Sequence, residues 1–555
     1  MDAIYFRLLG LRTRALLQPN SVYGCLLIFF DSITQIIMEK AKPLSPSADH
    51  VESVSKPEKY FSRELEDINS IPLGWFVWMV ACTASIAGLL FGYDTGIISA
   101  VLVYIGNDLE GRPPTHNEKE MITSLCSAGA FFGAICAGLT ADKFGRKNPI
   151  YVGCALFTIG AALQGSAYTI PQMAVGRFVV GLGVGSAAMI VPLYVAELAP
   201  AQARGRLIGL NNICITGGQV LSYALGAAFA SVDHGWRYMV GLGGVPSIIL
   251  AILLPWCPQS PRQLVYNGRM DEAKQVLRKI YGHGTERQIE LILGTIQDAC
   301  DEARHMNEGE SKWDKIVQLH RVPANMRALF SACGLMVFSQ MSGFNTLMYY
   351  SSTLFSMVGF SNPVAVGLIV AAPNLVMAFV NVMLVDRLGR RRLLLYTSWG
   401  MCAGLIAVTV AFAFLPVDTE TLEVRGSGTP REAIVVLVFL LWFVIFYGVS
   451  VGNTAWMSAD FFPLEVRSMG TMWMTCSTWV SNVIVSSTFL SMMKSMTPSG
   501  TFGFYAGICG LGWIWIYFFY PEVSGLQLEE IREVFERGYG KSMRSSKRAR
   551  NVERA

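Results

Sequence analysis

The chain has 555 residues, of which 52% are hydrophobic and only 15% are charged. Soluble domains have about a quarter of their residues charged, so this composition indicates a membrane protein. The net charge of +4 is too small to suggest a nucleic-acid partner. The sequence shows no nucleophile, phosphate-binding or metal-ligand pattern, which argues against an enzyme, a cofactor or a metal site.

Twelve stretches reach the length of about 20 apolar residues that a spanning helix needs. Six precede a polar gap, over 75–105, 121–141, 149–168, 171–193, 207–230 and 237–256. Six follow it, over 327–357, 362–385, 392–415, 433–457, 468–492 and 502–520. They predict an all-α membrane protein of two six-helix bundles, over 73–256 and 327–520. Between them we expect a cytoplasmic linker over 257–326 with short helices, near 270–280 and 288–301.

The placement of charge predicts the topology. Lys and Arg concentrate in the loops after even-numbered spans, whereas the loop after span one carries acidic residues such as Asp108, Glu118 and Glu120. The positive-inside rule then puts the linker and the tails 1–72 and 521–555 in the cytoplasm, and we expect the plasma membrane. Residues 1–37 resemble neither a spanning segment nor a signal peptide, and our hypothesis is that translation starts at Met38.

A charged signature occurs once in each half. Asp142-Lys-Phe-Gly-Arg146 recurs as Asp386-Arg-Leu-Gly-Arg390, and Glu197 with Arg204 recurs as Asp460 with Arg467. Two related bundles are how a transporter builds a site that opens to either side. The spacing predicts acid–base pairs between the bundles that latch the inner face, each worth about 0–1 kcal/mol. The alternative is a topology signal, which explains the bases but not the repeated acids.

Asp94 lies well inside the first span, where a carboxylate needs a partner, water or a proton. Arg177, about six residues into span four, is predicted at a similar depth in the outer half of the membrane. If Arg177 moved away, Asp94 would bind a proton more readily, which would make the pair a proton switch. The alternative is a fixed structural ion pair.

Uncharged polar residues recur within the spans, mostly in the second half. They are Gln219, Ser339, Gln340, Asn345, Asn374, Thr478 and Asn482, with Trp456 among them. Amides in lipid need partners, and a polyol offers both donors and acceptors. The cluster predicts an uncharged, hydroxyl-rich ligand, although hydrogen bonding between helices explains any single member equally well.

Together these motifs resemble the sugar-porter family of the major facilitator superfamily. The resemblance covers 73–530 and is carried by Gly92-Tyr-Asp94, both Asp-x-x-Gly-Arg loops, Gly176-Arg177, Pro192-Leu-Tyr-Val-Ala-Glu197, Gln340-x-x-Gly-x-Asn345 and Pro521-Glu522. Within the family the chain is most similar to fungal myo-inositol transporters, through Gly92-Tyr-Asp-Thr-Gly-Ile-Ile-Ser and Leu319-His-Arg-Val-Pro-Ala-Asn-Met-Arg.

The resemblance implies roles for these residues. Asp94 and Arg177 would be the proton-coupling pair, and Tyr349 and Tyr350 would form part of the outer gate. Gln219, Gln340, Asn345, Asn374 and Trp456 would line the sugar site. Asn212, Ser339 and Thr478 stand where the family has longer amides. The expected activity is proton symport of a neutral cyclic polyol, myo-inositol, by a monomer in the lipid bilayer. Alternatives are a proton-coupled or passive hexose carrier and a nutrient receptor that does not transport.

Overall fold

The computed structural model describes residues 74–200, 203–306, 312–415, 431–463, 465–524, 526 and 528–539. The hypothesis about Met38 and the predictions for the N-terminal tail lie outside these residues. All regular secondary structure in the described ranges is helical. The predicted all-α class is therefore confirmed.

Eleven helices lie in the described part of the first half and the linker. The first half has α1 (Trp75–Tyr104), α2 (His116–Phe144), α3 (Lys147–Gly165), α4 (Ile170–Leu198), α5 (Arg204–Ala228), α6 (Gly235–Leu242) and α7 (Gly244–Leu253), followed by a 3₁₀ turn at Leu254–Trp256. The linker has α8 (Pro261–Tyr266), α9 (Met270–Ile280), α10 (Glu286–Met306) and α11 (Lys312–Arg321). Helix α9 has the bounds that its apolar spacing predicts.

The described residues of the second half form nine helices, because some of the spans are broken. They are α12 (Pro323–Met341), α13 (Phe344–Met357), α14 (Pro363–Leu388), α15 (Arg390–Ala413), α16 (Arg431–Val449), α17 (Val451–Thr454), α18 (Arg467–Ser495), α19 (Thr497–Phe519) and α20 (Leu528–Glu536), with a 3₁₀ segment at Ala455–Phe461. Each of the twelve predicted spans thus corresponds to one helix or to a helix broken in its middle. Spans six, seven and ten are the broken ones.

By length and apolar composition alone, eight helices of the described ranges could cross a membrane. A ninth is the broken span Pro323–Met357, taken with the linker helix before it, from which it bends by 89°. Helices α3, α5 and α18 do not meet this criterion of length and apolar composition. Helices α5 and α18 carry buried amides and hydroxyls, such as Gln219 and Asn482. Because these side chains turn towards the protein interior, a polar helix can still lie in the membrane.

The two bundles meet along three pairs of helices. Helix α2 packs on α18, α5 packs on α14, and α1 packs on α13. Within the first bundle, α1 and α5 approach so closely that a Cβ on Gly92 would lie 1.8 Å from the backbone oxygen of Ile215. This contact brings the two helices that carry Asp94 and Gln219 side by side, which places both predicted sites in one region.

Substituting Gly92 tests this packing. We expect Gly92→Ala to lower the free energy of unfolding by about 1–3 kcal/mol, because the methyl group must push α1 away from α5. Gly217→Ala is the matched control, since a Cβ there meets nothing within 4 Å. Thermal melting of both purified variants is the measurement. Equal melting temperatures would contradict the expected close contact.

Candidate functional site

A buried ion pair lies inside the first bundle. Arg177 on α4 places Nη1 2.6 Å from Oδ1 of Asp94 on α1, and the exposed side-chain fractions are 1% and 12%. The predicted depths of Asp94 and Arg177 in the membrane indicate this pairing. Low dielectric strengthens such a pair, and a break would leave a costly unpaired charge. The pair therefore ties α1 to α4 inside the first bundle.

The second carboxylate oxygen of Asp94 also has a partner. The thiol of Cys126 on α2 donates to Oδ2 over 3.1 Å. The twelve cysteines are scattered singly through the sequence, which gives no sign of this contact. Its signal exists only in three dimensions, because α2 must pack beside α1 before the thiol can reach the carboxylate.

Between the bundles lies a polar cavity of about 450 Å³, within the range of small-molecule sites. Six predicted residues line it: Asn212, Gln219, Gln340, Asn345, Asn374 and Trp456. Asn374 donates to Gln219 Oε1 over 3.1 Å, and Asn212 donates to the backbone oxygen of Asn453 over 3.3 Å. Both bonds join the two bundles. The cavity therefore lies where a relative movement of the bundles would open or close it.

Three other predicted residues are not part of the cavity lining. The Ser339 hydroxyl lies 3.1 Å from that of Tyr447, and Thr478 donates to the backbone oxygen of Met474 in its own helix. Asn482 donates to Gln340 Oε1 over 3.0 Å. Ser339 and Asn482 thus support residues that line the cavity, whereas the Thr478 hydroxyl is occupied within α18.

Several lining residues were missed by the sequence reasoning. They are Phe91, Ile215, Thr216, Phe344, Tyr447, Gly452 and Asn453. Phe344 and Tyr447 stack with ring centroids 3.8 Å apart. Asn453 is a polar residue within span ten, next to Trp456, and this signal could have been read. The aromatic residues give no such signal, since buried rings are common in every bundle.

Breaks in two spans position this lining. Gly343, between α12 and α13, has φ of 86°, and a Cβ there would lie 2.9 Å from the ring of Tyr505. A second break at Ser450 separates α16 from α17. Discontinuous helices of this kind form the binding sites of many transporters. The breaks direct Asn345 and Asn453 into the cavity.

On the side that the predicted topology places outside, the bundles are in contact. Ser99 of α1 donates to Ser352 over 2.9 Å, and Tyr223 of α5 lies 2.7 Å from the Ser351 hydroxyl. The predicted gate residues Tyr349 and Tyr350 instead donate to Asn482 and to the Ser486 backbone, within the second bundle. Ser351 and Ser352 thus make hydrogen bonds across this gate, and both tyrosines also interact with α2 of the first bundle, Tyr349 with Ser127 and Tyr350 with Thr123.

On the opposite side, space continues between the bundles. A cavity of about 280 Å³ shares Phe91, Ile215 and Trp456 with the polar cavity. A third, of about 540 Å³, shares Trp456 and reaches Asp460 and Arg467. The structure is thus closed on the predicted outer side and has its internal space on the predicted cytoplasmic side.

The repeated charges form pairs within each bundle. Arg146 Nη2 lies 2.8 Å from Glu197 Oε1, and Arg390 Nη2 lies 2.8 Å from Asp460 Oδ2. Arg467 donates to the backbone oxygen of Phe462. From the sequence we expected acid–base pairs that join the two bundles. The Arg146–Glu197 and Arg390–Asp460 pairs instead each lie within one bundle. Since each acid and base lie in the same half, they brace the ends of their own helices. The side chains of Asp142, Arg204 and Asp386 lie outside the described residues.

Glu522 was singled out only as a motif residue, yet it has a clear contact set. Its carboxylate accepts from the backbone N–H groups of Arg390 and Arg391, each over 3.0 Å. A carboxylate at a helix N-terminus is stabilised by the free N–H groups and the helix dipole. Glu522 therefore caps α15 and ties it to the chain that follows α19.

Two bundles around a shared polar cavity, beside a buried ion pair, define a secondary transporter of the major facilitator type. The family described as "Sugar (and other) transporter" matches residues 80–535. The chain belongs to this sugar transporter family.

Relatives in the family are similar over most of the chain. "Myo-inositol transporter 1" of Cryptococcus neoformans is 42% identical, with 84% of this chain and 82% of the relative covered. "Myo-inositol transporter 2" of Schizosaccharomyces pombe is 39% identical, with 92% and 90% covered. The proton:xylose symporter XylE, solved with 6-bromo-6-deoxy-D-glucose, superimposes with a TM-score of 0.66 at 25% identity, with 83% of this chain and 99% of XylE covered. The major facilitator fold and the role as a transporter rather than an enzyme follow.

The Arg146–Glu197 pair allows a test of helix bracing. We expect Glu197→Gln to lower the free energy of unfolding by about 3 kcal/mol, because it leaves a buried Arg146 unpaired. Glu286→Gln breaks an exposed linker pair, in which a hydrogen bond from Arg278 lowers the pKa of Glu286. Such exposed pairs contribute little, so this control should melt like the parent protein. Similar losses in both variants would show that burial of the pair does not matter.

Proposed function

We propose that this protein is a proton-coupled symporter of a neutral cyclic polyol, with myo-inositol as the first candidate. One observation carries the proposal: the cavity has only uncharged lining residues among those described, and a separate buried carboxylate lies on the adjoining helix. An uncharged lining rich in amides suits hydroxyl groups, each of which can donate and accept. A separate acidic site can hold the proton.

The names of the relatives favour the polyol. The fungal relatives above are named for myo-inositol, and each covers more than four-fifths of this chain. The solved XylE structures are named for proton:xylose symport, which favours coupling to protons. A hexose or pentose remains the second candidate, because a pyranose presents the same hydroxyl chemistry to these amides.

Helix α1 connects the two sites physically. Phe91, which lines the cavity, lies one turn before Asp94 on the same helix. The Phe91 ring packs edge-on against Trp479 of the second bundle, with centroids 5.3 Å apart. A shift of α1 that accompanies protonation of Asp94 would therefore move a wall of the cavity and a contact between bundles.

The proposed cycle follows from these contacts. Facing outwards, the protein takes up a polyol between Gln219, Asn374 and Trp456 and a proton at Asp94. Neutral Asp94 releases Arg177, which removes the charge attraction that holds α1 to α4. The outer contacts at Ser99 and Tyr223 then close, and the cytoplasmic cavities receive the polyol and the proton.

We further propose the arrangement in the cell. The two bundles would extend over 73–256 and 327–520, and the linker 257–326 and both tails would lie in the cytoplasm. The protein would act as a monomer in the plasma membrane. Accessibility of a tag at either terminus, before and after the cells are made permeable, measures this orientation directly.

Asp94 is the residue to substitute for coupling. In Asp94→Asn we expect accumulation of labelled myo-inositol against its gradient to vanish, while exchange across the membrane persists, because the amide cannot exchange a proton. Proteoliposomes with an imposed pH gradient measure both. Asp108→Asn is the control, since that carboxylate lies in the loop after α1. Retained accumulation in Asp94→Asn would remove Asp94 from coupling.

Asn374 and Asn381 lie on one helix and separate binding from stability. Asn374 faces the cavity, whereas Asn381 donates to the backbone oxygen of Val449 and to Thr454. We expect Asn374→Leu to raise KM for the polyol by about tenfold or more, the loss of one or two hydrogen bonds. Asn381→Leu should lower the melting temperature and leave KM nearly unchanged. A competition panel of inositol, xylose and glucose then ranks the substrates, and equal KM for both variants would contradict the assigned cavity.

A further inference from the structure

Two acidic residues near the start of α2 have opposite surroundings. Glu118 belongs to the helix cap: its carboxylate accepts from the Thr115 backbone over 2.7 Å and pairs with Arg112. Glu120 lies two residues further on, which is about 200° around the helix at 3.6 residues per turn. It is only 5% exposed and faces the second bundle. From the sequence we interpreted both as loop acids that mark the outer side. In the structure this description fits Glu118 but not the buried Glu120.

Both carboxylate oxygens of Glu120 contact a single residue of the other bundle. The Ser491 backbone N–H donates to Oε1 over 2.8 Å, and its hydroxyl donates to Oε2 over 2.6 Å. Ser491 lies in the last turns of α18, on the same predicted outer side as the start of α2. Hydrogen bonds to an ionised acceptor are roughly twice as strong as neutral ones. The contact therefore joins the outer ends of the two bundles firmly.

Several polar and titratable groups surround Glu120. His116 of its own helix and the hydroxyls of Tyr350 and Tyr505 interact with it electrostatically, and Lys119 and Lys494 lie close to His116. Within the described ranges no Lys or Arg comes within ion-pair distance of it. The two donors of Ser491 are thus its direct partners, and a separation of α2 from α18 would expose the carboxylate to water.

Other contacts between the bundles on this side are neutral. Ser99 with Ser352, Tyr223 with Ser351 and Ser127 with Asn482 are hydroxyl or amide hydrogen bonds. The ion pairs between described side chains all lie within one half of the chain or within the linker. Among the hydrogen bonds between described residues that join the bundles, those of Glu120 with Ser491 are the ones that involve a charged side chain.

We propose that Glu120 is a positioning residue of the transport cycle, which holds the outer ends of α2 and α18 together and so stabilises the inward-facing state. The proposal rests on the alternating access of the proposed function, but not on the identity of the substrate or on proton coupling. Outward opening requires that both hydrogen bonds to Ser491 break and that water replaces them. Glu120 therefore sets how often the site faces outwards.

Replacing the carboxylate by an amide weakens this contact without changing its size. In Glu120→Gln the charge is lost, and one of the two Ser491 donors meets an NH₂ group, which cannot accept. We expect the outward-open population to rise by about tenfold, the effect of losing one charge-assisted hydrogen bond. Ser491→Ala removes one donor and keeps the carboxylate, so its shift should have the same direction and be smaller.

Hydrogen–deuterium exchange of the purified protein in nanodiscs, without substrate, measures the shift. In Glu120→Gln, peptides from the outer ends of α2 and α18 should exchange about tenfold faster. Peptides that border the inner cavity, near Leu193 and Thr471, should exchange more slowly, because the inner side closes as the outer side opens. Glu118→Gln is the matched control: it makes the same change of charge on the solvent-facing side and should leave exchange on α18 unchanged.

Two results would overturn the proposal. One is unchanged exchange at the outer ends in Glu120→Gln; the other is faster exchange on both sides, which would mean that Glu120 only stabilises the fold. For a variant that does not purify, Ser491→Ala provides the same comparison. Because exchange needs neither a polyol nor a pH gradient, its outcome is separate from that of the uptake assays on Asp94, which test the proposed function.

Discussion

The absence of water from the membrane core is the constraint on which this structure depends. Every backbone N–H and C=O there must find a partner within the chain, so the spans are helical. Side chains that cannot be satisfied by lipid must turn inwards and meet one another. Asp94 meets Arg177 and Cys126, and Gln219 meets Asn374. The first set lies within the first bundle, whereas the amides that line the cavity are concentrated where the two bundles touch.

Concentrating polar groups at this interface also allows movement. The contacts that join the bundles are mainly single hydrogen bonds between neutral groups, each of which contributes about 0.5–1.5 kcal/mol. Such bonds can be exchanged for water or for a polyol at little net cost. The strong charged contacts at Arg146 with Glu197 and Arg390 with Asp460 lie within the bundles instead. Each bundle therefore holds its shape while the surface between the two can rearrange.

Much of the fold and part of the site could be predicted from the pattern of residues. Most of the spans follow from apolar length, whereas α3, α5 and α18 fall short of that criterion, and helix α9 follows from apolar spacing. Six of the residues that line the cavity were predicted: four because an amide in an apolar span needs a partner, Trp456 as their aromatic neighbour, and Asn212 through the family resemblance. The direction of each side chain could not be predicted in this way. Ser339 and Asn482 do not line the cavity but make hydrogen bonds to residues that do. The aromatic rings of Phe91 and Tyr447 line it, although nothing in the sequence indicated that they would.

The sequence by itself determined the membrane location, the two related halves and the residue types available to bind a neutral ligand, because these depend on composition and spacing alone. Only the tertiary structure decided which residues meet. It placed the repeated charges in pairs within each bundle, added Ser351 and Ser352 to the outer contact beside Tyr349 and Tyr350, and buried Glu120 against Ser491. The physical reason is that partners more than 250 residues apart in the chain, such as Ser99 and Ser352, are chosen by how helices rotate and pack. The rotation of each helix cannot be predicted from a local sequence pattern.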